Sequence, residues 1–101
     1  MSYTKRKSII KDVEESLGSS GRLRILRFLT KNPEGEIALT RYKLKVLTGI
    51  KTKNVNNHLK ILVKNGWVEE ISLNGVKKYK LNLKERKTEL LTDFLQKIGL
   101  T

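Results

Sequence analysis

Residues 51–80 read KTKNVNNHLKILVKNGWVEEISLNGVKKYK, a polar-faced helix that runs into a hairpin. Val55, Leu59, Leu62 and Val63 recur at the spacing of one buried helical stripe. Lys53, Asn54, Asn56, Asn57, Lys60 and Lys64 stand on the other side. Asparagine and lysine side chains in such a row are able to hydrogen-bond base edges and phosphates in a major groove. Asn74-Gly75, between two alternating segments, predicts a tight hairpin with Lys77, Lys78 and Lys80 on its return strand. Helix, hairpin and positive charge together point to a DNA-binding module.

Immediately upstream, Thr40 offers an N-cap for a helix carrying Leu44, Val46 and Leu47, and Gly49 offers its end. Ile50 and Lys51 then lead to Thr52, a second N-cap candidate, so that helix, short turn and helix follow one another as in a helix-turn-helix. The second of these helices is expected from about Thr52 to Asn65, stopped by Gly66. Strands are expected over 67–73 and 76–83, with Tyr79, Leu81 and Leu83 on the core face of the second and Lys78, Lys80 and Asn82 on the other.

Farther out, Ile9, Ile10, Val13 and Leu17 suggest a short amphipathic helix ending at Gly18. Ser19 or Ser20 is placed to cap a second, with Leu23, Ile25, Leu26, Phe28 and Leu29 as its apolar face. That helix must stop by Pro33, because the residue before a proline avoids the helical region. A short strand is expected over 36–39. At the C-terminal end, Asn82 with Glu85 resembles a capping box opening a helix to about Ile98, with Leu90, Leu91, Phe94, Leu95 and Ile98 as a wide apolar stripe. The expected class is α+β, mainly α. Its organisation is a flexible basic arm over 1–7, one domain over 8–83 and a C-terminal helix over 84–101.

Charge supports the functional direction. The 101 residues hold 22 Lys and Arg against 10 Asp and Glu, a net charge of +12 that attracts polyanions. Between Glu36 and Glu69 no acidic residue occurs, whereas Arg41, Lys43, Lys45, Lys51, Lys53, Lys60 and Lys64 all fall there. The absence of cysteine excludes disulfides, thiolate metal sites and cysteine nucleophiles. His58 is the single histidine and cannot build a multi-ligand metal site alone, so it reads as packed beside the core or touching a phosphate. Trp67 reads as packing under the polar-faced helix. The glycines form no phosphate-cradling G-x-x-x-x-G-K loop, and no catalytic constellation is visible, so neither enzyme activity nor a cofactor is expected. No apolar run approaches the ~20 residues of a membrane span, and the N-terminus lacks a signal-peptide core. A cytoplasmic, nucleoid-associated protein is therefore expected.

The run VNNHLKILVKNGWV, residues 55–68, is similar to the recognition helix and strand opening of winged helix-turn-helix proteins of the broad ArsR/MarR-like type. The resemblance covers about 19–83. It implies that the helix from Thr52 enters the major groove with its N-terminal half, which makes Thr52, Lys53, Asn54, Asn56 and Asn57 the base-reading candidates. Asparagine can pair bidentately with adenine. Lys43, Lys51, Lys60 and Lys64 read as phosphate ligands, lysine being a flexible point charge. Lys77, Lys78 and Lys80 resemble the family's wing contacts. The thiolate ligands of metal-sensing members have no counterpart here, so metal sensing is not expected.

Small basic winged-helix proteins of this type commonly pair through terminal helices. Leu90, Leu91, Phe94, Leu95 and Ile98 are accordingly the expected dimerisation residues, and a two-fold dimer would set two recognition helices about 34 Å apart on a palindromic duplex site. A transcriptional regulator is the first expectation. A chromatin-like architectural protein or a centromere-binding component of a DNA segregation system comes next, and an adaptor that binds protein or RNA is the reading from another class. The Lys, Ile and Asn richness fits an archaeal or thermophilic source.

Overall fold

The computed structural model describes residues 11–31 and 38–99, and the expected basic arm, Ile9, Ile10 and Pro33 lie outside them. Residues 11–17 are helical (α1). The order that follows is α2 (Ser20–Lys31), β1 (Leu39–Thr40), α3 (Arg41–Thr48), α4 (Thr52–Lys64), β2 (Val68–Leu73), β3 (Val76–Leu81) and α5 (Arg86–Lys97). The three strands form one antiparallel sheet in the order β1-β3-β2, with Leu39 opposite Tyr79 and Val68 opposite Leu81.

Several boundaries have a local cause. The Ser19 hydroxyl accepts from the Arg22 N–H at 3.3 Å and starts α2. Thr40 does the same for α3, accepting from the Lys43 N–H at 3.1 Å. Gly49, at φ 74°, ends α3 in the left-handed region and sends its N–H back to the Lys45 carbonyl, so the chain turns within two residues into α4. Asn74 and Gly75 both have positive φ, 51° and 77°, the pair of angles that a two-residue hairpin turn matched to strand twist requires.

The core is the layer where α2, α3 and α4 meet the sheet. Ile25, Leu26 and Leu29 of α2, Leu44 of α3 and Val55, Leu59 and Leu62 of α4 pack against Trp67, Val68, Tyr79 and Leu81. Leu17, Leu39, Ile50, Val63 and Leu91 close its edges.

Several expectations are corrected. The first strand is Leu39–Thr40, within which Thr40 also caps α3, so 36–39 is displaced toward the C-terminus and partly outside the described residues. Val46 and Leu47 are exposed; on so short a helix the inward positions go to Leu44 and to Thr48, whose hydroxyl bonds back to the Leu44 carbonyl at 2.6 Å. The N-cap of α4 is Lys51 and not Thr52, which is already helical. Trp67 precedes β2, and β3 stops at Leu81, leaving Leu83 exposed in a turn. The capping box does not form: Glu85 is the N-cap of α5 without a side-chain bond, and Asn82 accepts from the Glu85 N–H through its backbone carbonyl. The wide stripe of α5 divides, because Leu95 is buried within the chain and Leu91 is half-buried against the core, while Leu90, Phe94 and Ile98 stay exposed.

Candidate nucleic-acid interface

The buried stripe Val55, Leu59, Leu62 fixes which way α4 faces. With those three held in the core, Thr52, Lys53, Asn54, Asn57 and Lys60 are exposed and Asn56 is half-buried beside α3. Base-reading candidates are thus gathered on the first two turns of one helix, with Lys43 and Lys51 exposed on α3 and in the turn beside them. No acidic residue stands in the first turn of either helix. The positive ends of both helix dipoles therefore add to the side-chain charges instead of being neutralised.

Arg41, the first residue of α3, reaches across to α4: its Nη1–H donates to Oδ1 of Asn56 at 3.3 Å. Between α4 and the hairpin lies a groove of roughly 310 Å³ with Leu59, Val63 and Tyr79 as its apolar floor and Arg41, Lys60 and Lys77 on its rim. Glu70 is the one carboxylate that lines it. That group is engaged, accepting from the Tyr79 hydroxyl at 2.9 Å and lying 3.7 Å from Lys77. Burial first, and then the bond to Glu70, push the Tyr79 phenol above its ordinary range, so it stays a neutral donor.

Ion pairing separates the cations into two sets. Lys64 lies 3.2 Å from Glu15, Lys77 pairs with Glu70, and Lys80 lies 3.8 Å from Glu69, which also faces Lys84 at 3.8 Å. Arg41, Lys43, Lys45, Lys51, Lys53 and Lys60, all on the helix-turn-helix, have no carboxylate within ion-pairing distance among the described residues, and on the hairpin the same holds for Lys78. Such a cluster of uncompensated cations on the helix-turn-helix is what a polyanion-binding surface needs.

His58 faces away from this surface. Its ring lies against Gly21 of α2, and Arg22 Nη1–H donates to its Nδ1 at 3.2 Å. Arginine offers only donors, so Nδ1 is the bare nitrogen and the proton sits on Nε2. Burial first, and the Arg22 charge second, hold the imidazole below its ordinary pKa. Trp67 is buried, with its indole N–H donating to Asp12 at 3.0 Å and Lys87 over its ring. It packs in the interior and is not offered for base stacking. Lys87 also reaches Asp12 and the carbonyl of Asn65, the residue that closes α4, while the Asn65 amide donates to Glu15 at 2.8 Å and to Ser16 at 2.9 Å. This polar knot fastens α1 and α5 to the far end of α4, opposite its exposed N-terminal turns.

Sequence reading did not anticipate the Arg41–Asn56 contact, the pairing of the hairpin lysines or the polar knot. The first two were signalled only by charge; the third joins residues 22 to 75 positions apart and left no local trace. Among the described residues no group of three or more His, Asp and Glu could hold a metal ion, and no helix is long and apolar enough to cross a membrane.

No family model matches the chain, and no curated protein matches it. Solved structures do. HlyU from Vibrio cholerae N16961 superposes with a TM-score of 0.76 at 18% identity, covering 100% of both chains. The homodimeric winged helix-turn-helix DNA-binding domain of Mb0332 from Mycobacterium bovis, fragment 1-100, described as a possible ArsR-family transcriptional regulator, gives 0.74 at 19% identity over 98% of this chain and 87% of that one. A predicted DNA-binding transcriptional regulator from E. coli gives 0.72 at 15% identity over 96% and 99%. At these identities the likeness shows the fold, and the fold is a winged helix-turn-helix.

Proposed function

We propose that this winged helix-turn-helix chain binds duplex DNA with α4 in the major groove and regulates transcription as a homodimer on a palindromic site. The observation that carries the reading is the face formed by α3 and the first turns of α4: exposed Thr52, Lys53, Asn54 and Asn57 amid cations that have no carboxylate partner among the described residues. Lys43, Lys51 and Lys60 contact phosphates and set the register, while the threonine, lysine and asparagine side chains of α4 reach base edges. On the hairpin, Lys78 is free to meet the backbone directly, whereas Lys77 and Lys80 exchange Glu70 and Glu69 for phosphate. Lys64, paired with Glu15 near the far end of α4, contributes least. The Mb0332 domain and the E. coli protein, described as DNA-binding, support the same reading.

Dimerisation is supported by the exposed Leu90 and Phe94 of α5 with Ile98 at its C-cap, at i, i+4 and i+8, and by the homodimeric state given for the Mb0332 domain. Two copies related by a two-fold axis present two α4 helices to half-sites about 34 Å apart. The test is footprinting with the purified chain, followed by the double variant Asn56→Ala, Asn57→Ala. Expected is a protected palindrome with half-site centres about 10 base pairs apart, and a variant that still binds duplex but no longer prefers that sequence. A variant with undiminished preference contradicts the assignment of α4.

A further inference from the structure

Arg41 and Asn56, 15 positions apart, meet across the turn between α3 and α4. Their chemistry dictates how the Asn56 amide is oriented. A guanidinium carries donors only, and an amide nitrogen has no lone pair to offer, so only Oδ1 can face Arg41. The Nδ2 hydrogens are left for an outside partner. Both residues line the groove toward the hairpin and also the groove on the α3 side formed with Tyr42, Lys45, Thr52 and Val55. The pair is shared by the two grooves, in whose described lining Glu70 is the only carboxylate.

We propose that Arg41 is a specificity-determining positioning residue that makes Asn56 a donor-only reader, selecting guanine over adenine. The inference rests on the reading of α4 as the helix that faces duplex DNA. Bidentate recognition of adenine requires Oδ1 to accept from N6 while Nδ2 donates to N7. With Oδ1 held by a guanidinium, the adenine amino group arrives as a second donor beside a positive charge. Guanine presents O6 and N7, two acceptors, to the Nδ2 hydrogens and to the remaining Arg41 N–H groups. A phosphate oxygen is also an acceptor of this kind, but it carries no sequence information, which separates the two sources experimentally.

Duplexes selected from a random library by the full chain are compared for wild type, Arg41→Ala, Arg41→Lys and Asn56→Ala. Expected for wild type is guanine at the one position whose preference Asn56→Ala abolishes, favoured over adenine by roughly 5- to 100-fold. Arg41→Ala frees Oδ1 and moves that position toward adenine; Arg41→Lys, which keeps a charged donor, retains guanine. An Arg41 of purely structural value would weaken binding to all sequences equally. Adenine in the wild-type site, unchanged by Arg41→Ala, overturns the proposal. So does an Asn56→Ala variant that keeps every base preference and only weakens binding to all sequences equally, which identifies phosphate as the partner. Failure of wild type to bind any duplex instead removes the DNA reading itself. Independently of DNA, the Asn56 side-chain amide resonances of the free protein shift in Arg41→Ala; unshifted resonances remove the contact.

Discussion

Asn56 and Asn57 are adjacent in the chain yet have unlike surroundings, because one α-helical step of about 100° carries Asn57 into solvent and leaves Asn56 against Arg41. Periodicity located both on the polar side of α4; the difference between them depends on where α3 lies, which no local pattern encodes. His58 shows the same division. Its place on the helix allowed a position beside the core or a contact with phosphate, and the Arg22 partner 36 positions away, which goes with the first, was not legible. The contact has a pH consequence. Because burial and Arg22 lower the folded pKa below 6.5, the unfolded chain takes up a proton that the fold resists. The stability from neutral His58 is complete above about pH 6.5 and declines as pH falls from there toward the lowered folded value. Urea midpoints measured between pH 7.5 and 5.5 decline for wild type, and His58→Gln makes the decline shallower; parallel declines contradict this account. Asp12 has the opposite kind of environment. Burial alone would raise its pKa, but hydrogen bonds from Lys87, Trp67 and Ser16 outweigh it and the carboxyl lies below 3.8. Asp12→Ala strands the indole N–H and leaves the Lys87 ammonium only the Asn65 carbonyl, and it lowers unfolding free energy by about 1–3 kcal/mol at pH 7.

At the scale of elements, the buried stripe orients α4, and the caps of α3 set the turn that leads into it. Removing the Thr40 hydroxyl costs about 1 kcal/mol, and a Cβ at Gly49, where φ is 74°, costs about 1–2 kcal/mol; thermal unfolding of Thr40→Ala and Gly49→Ala measures both. Truncating α4 from inside and from outside should give contrasting results. Leu62 is wholly buried, and Leu62→Ala costs about 2–5 kcal/mol. Lys60→Ala changes stability by less than about 0.5 kcal/mol and is read instead in weakened duplex binding. Helix identity, the hairpin turn and the order helix-turn-helix-hairpin were legible because glycines, caps and apolar spacing act locally. Element ends were less so. Thr52 looks like a cap but lies within α4, and Asn82 with Glu85 has capping-box spacing while the chain between them makes a turn before α5 begins. Val46 and Leu47 read as core because their apolarity is visible in sequence, whereas their exposure depends on how α3 packs, which is not.

For the whole molecule, the decisive feature is how charge and apolar surface are distributed. A net charge of +12 is a property of the sequence; how it is offset is a property of the fold, in which Glu15, Glu69 and Glu70 engage Lys64, Lys77, Lys80 and Lys84 while, among the described residues, Lys43, Lys51, Lys53 and Lys60 have no carboxylate partner. The apolar stripe of α5 is likewise shared, Leu91 and Leu95 turning inward while Leu90, Phe94 and Ile98 remain between 50% and 56% exposed. Phe94→Glu consequently leaves the fold intact by circular dichroism and converts the dimer to monomer in sedimentation velocity; a wild-type monomer contradicts the proposed assembly. The most direct measurement is the affinity of the native chain for its selected duplex as a function of salt. A dimer that neutralises about 6–10 phosphates loses about 10³–10⁵-fold in affinity between 50 and 200 mM salt, with the logarithmic slope reduced by about one for each neutralising lysine removed from each complex. An affinity that stays level across that range contradicts the account.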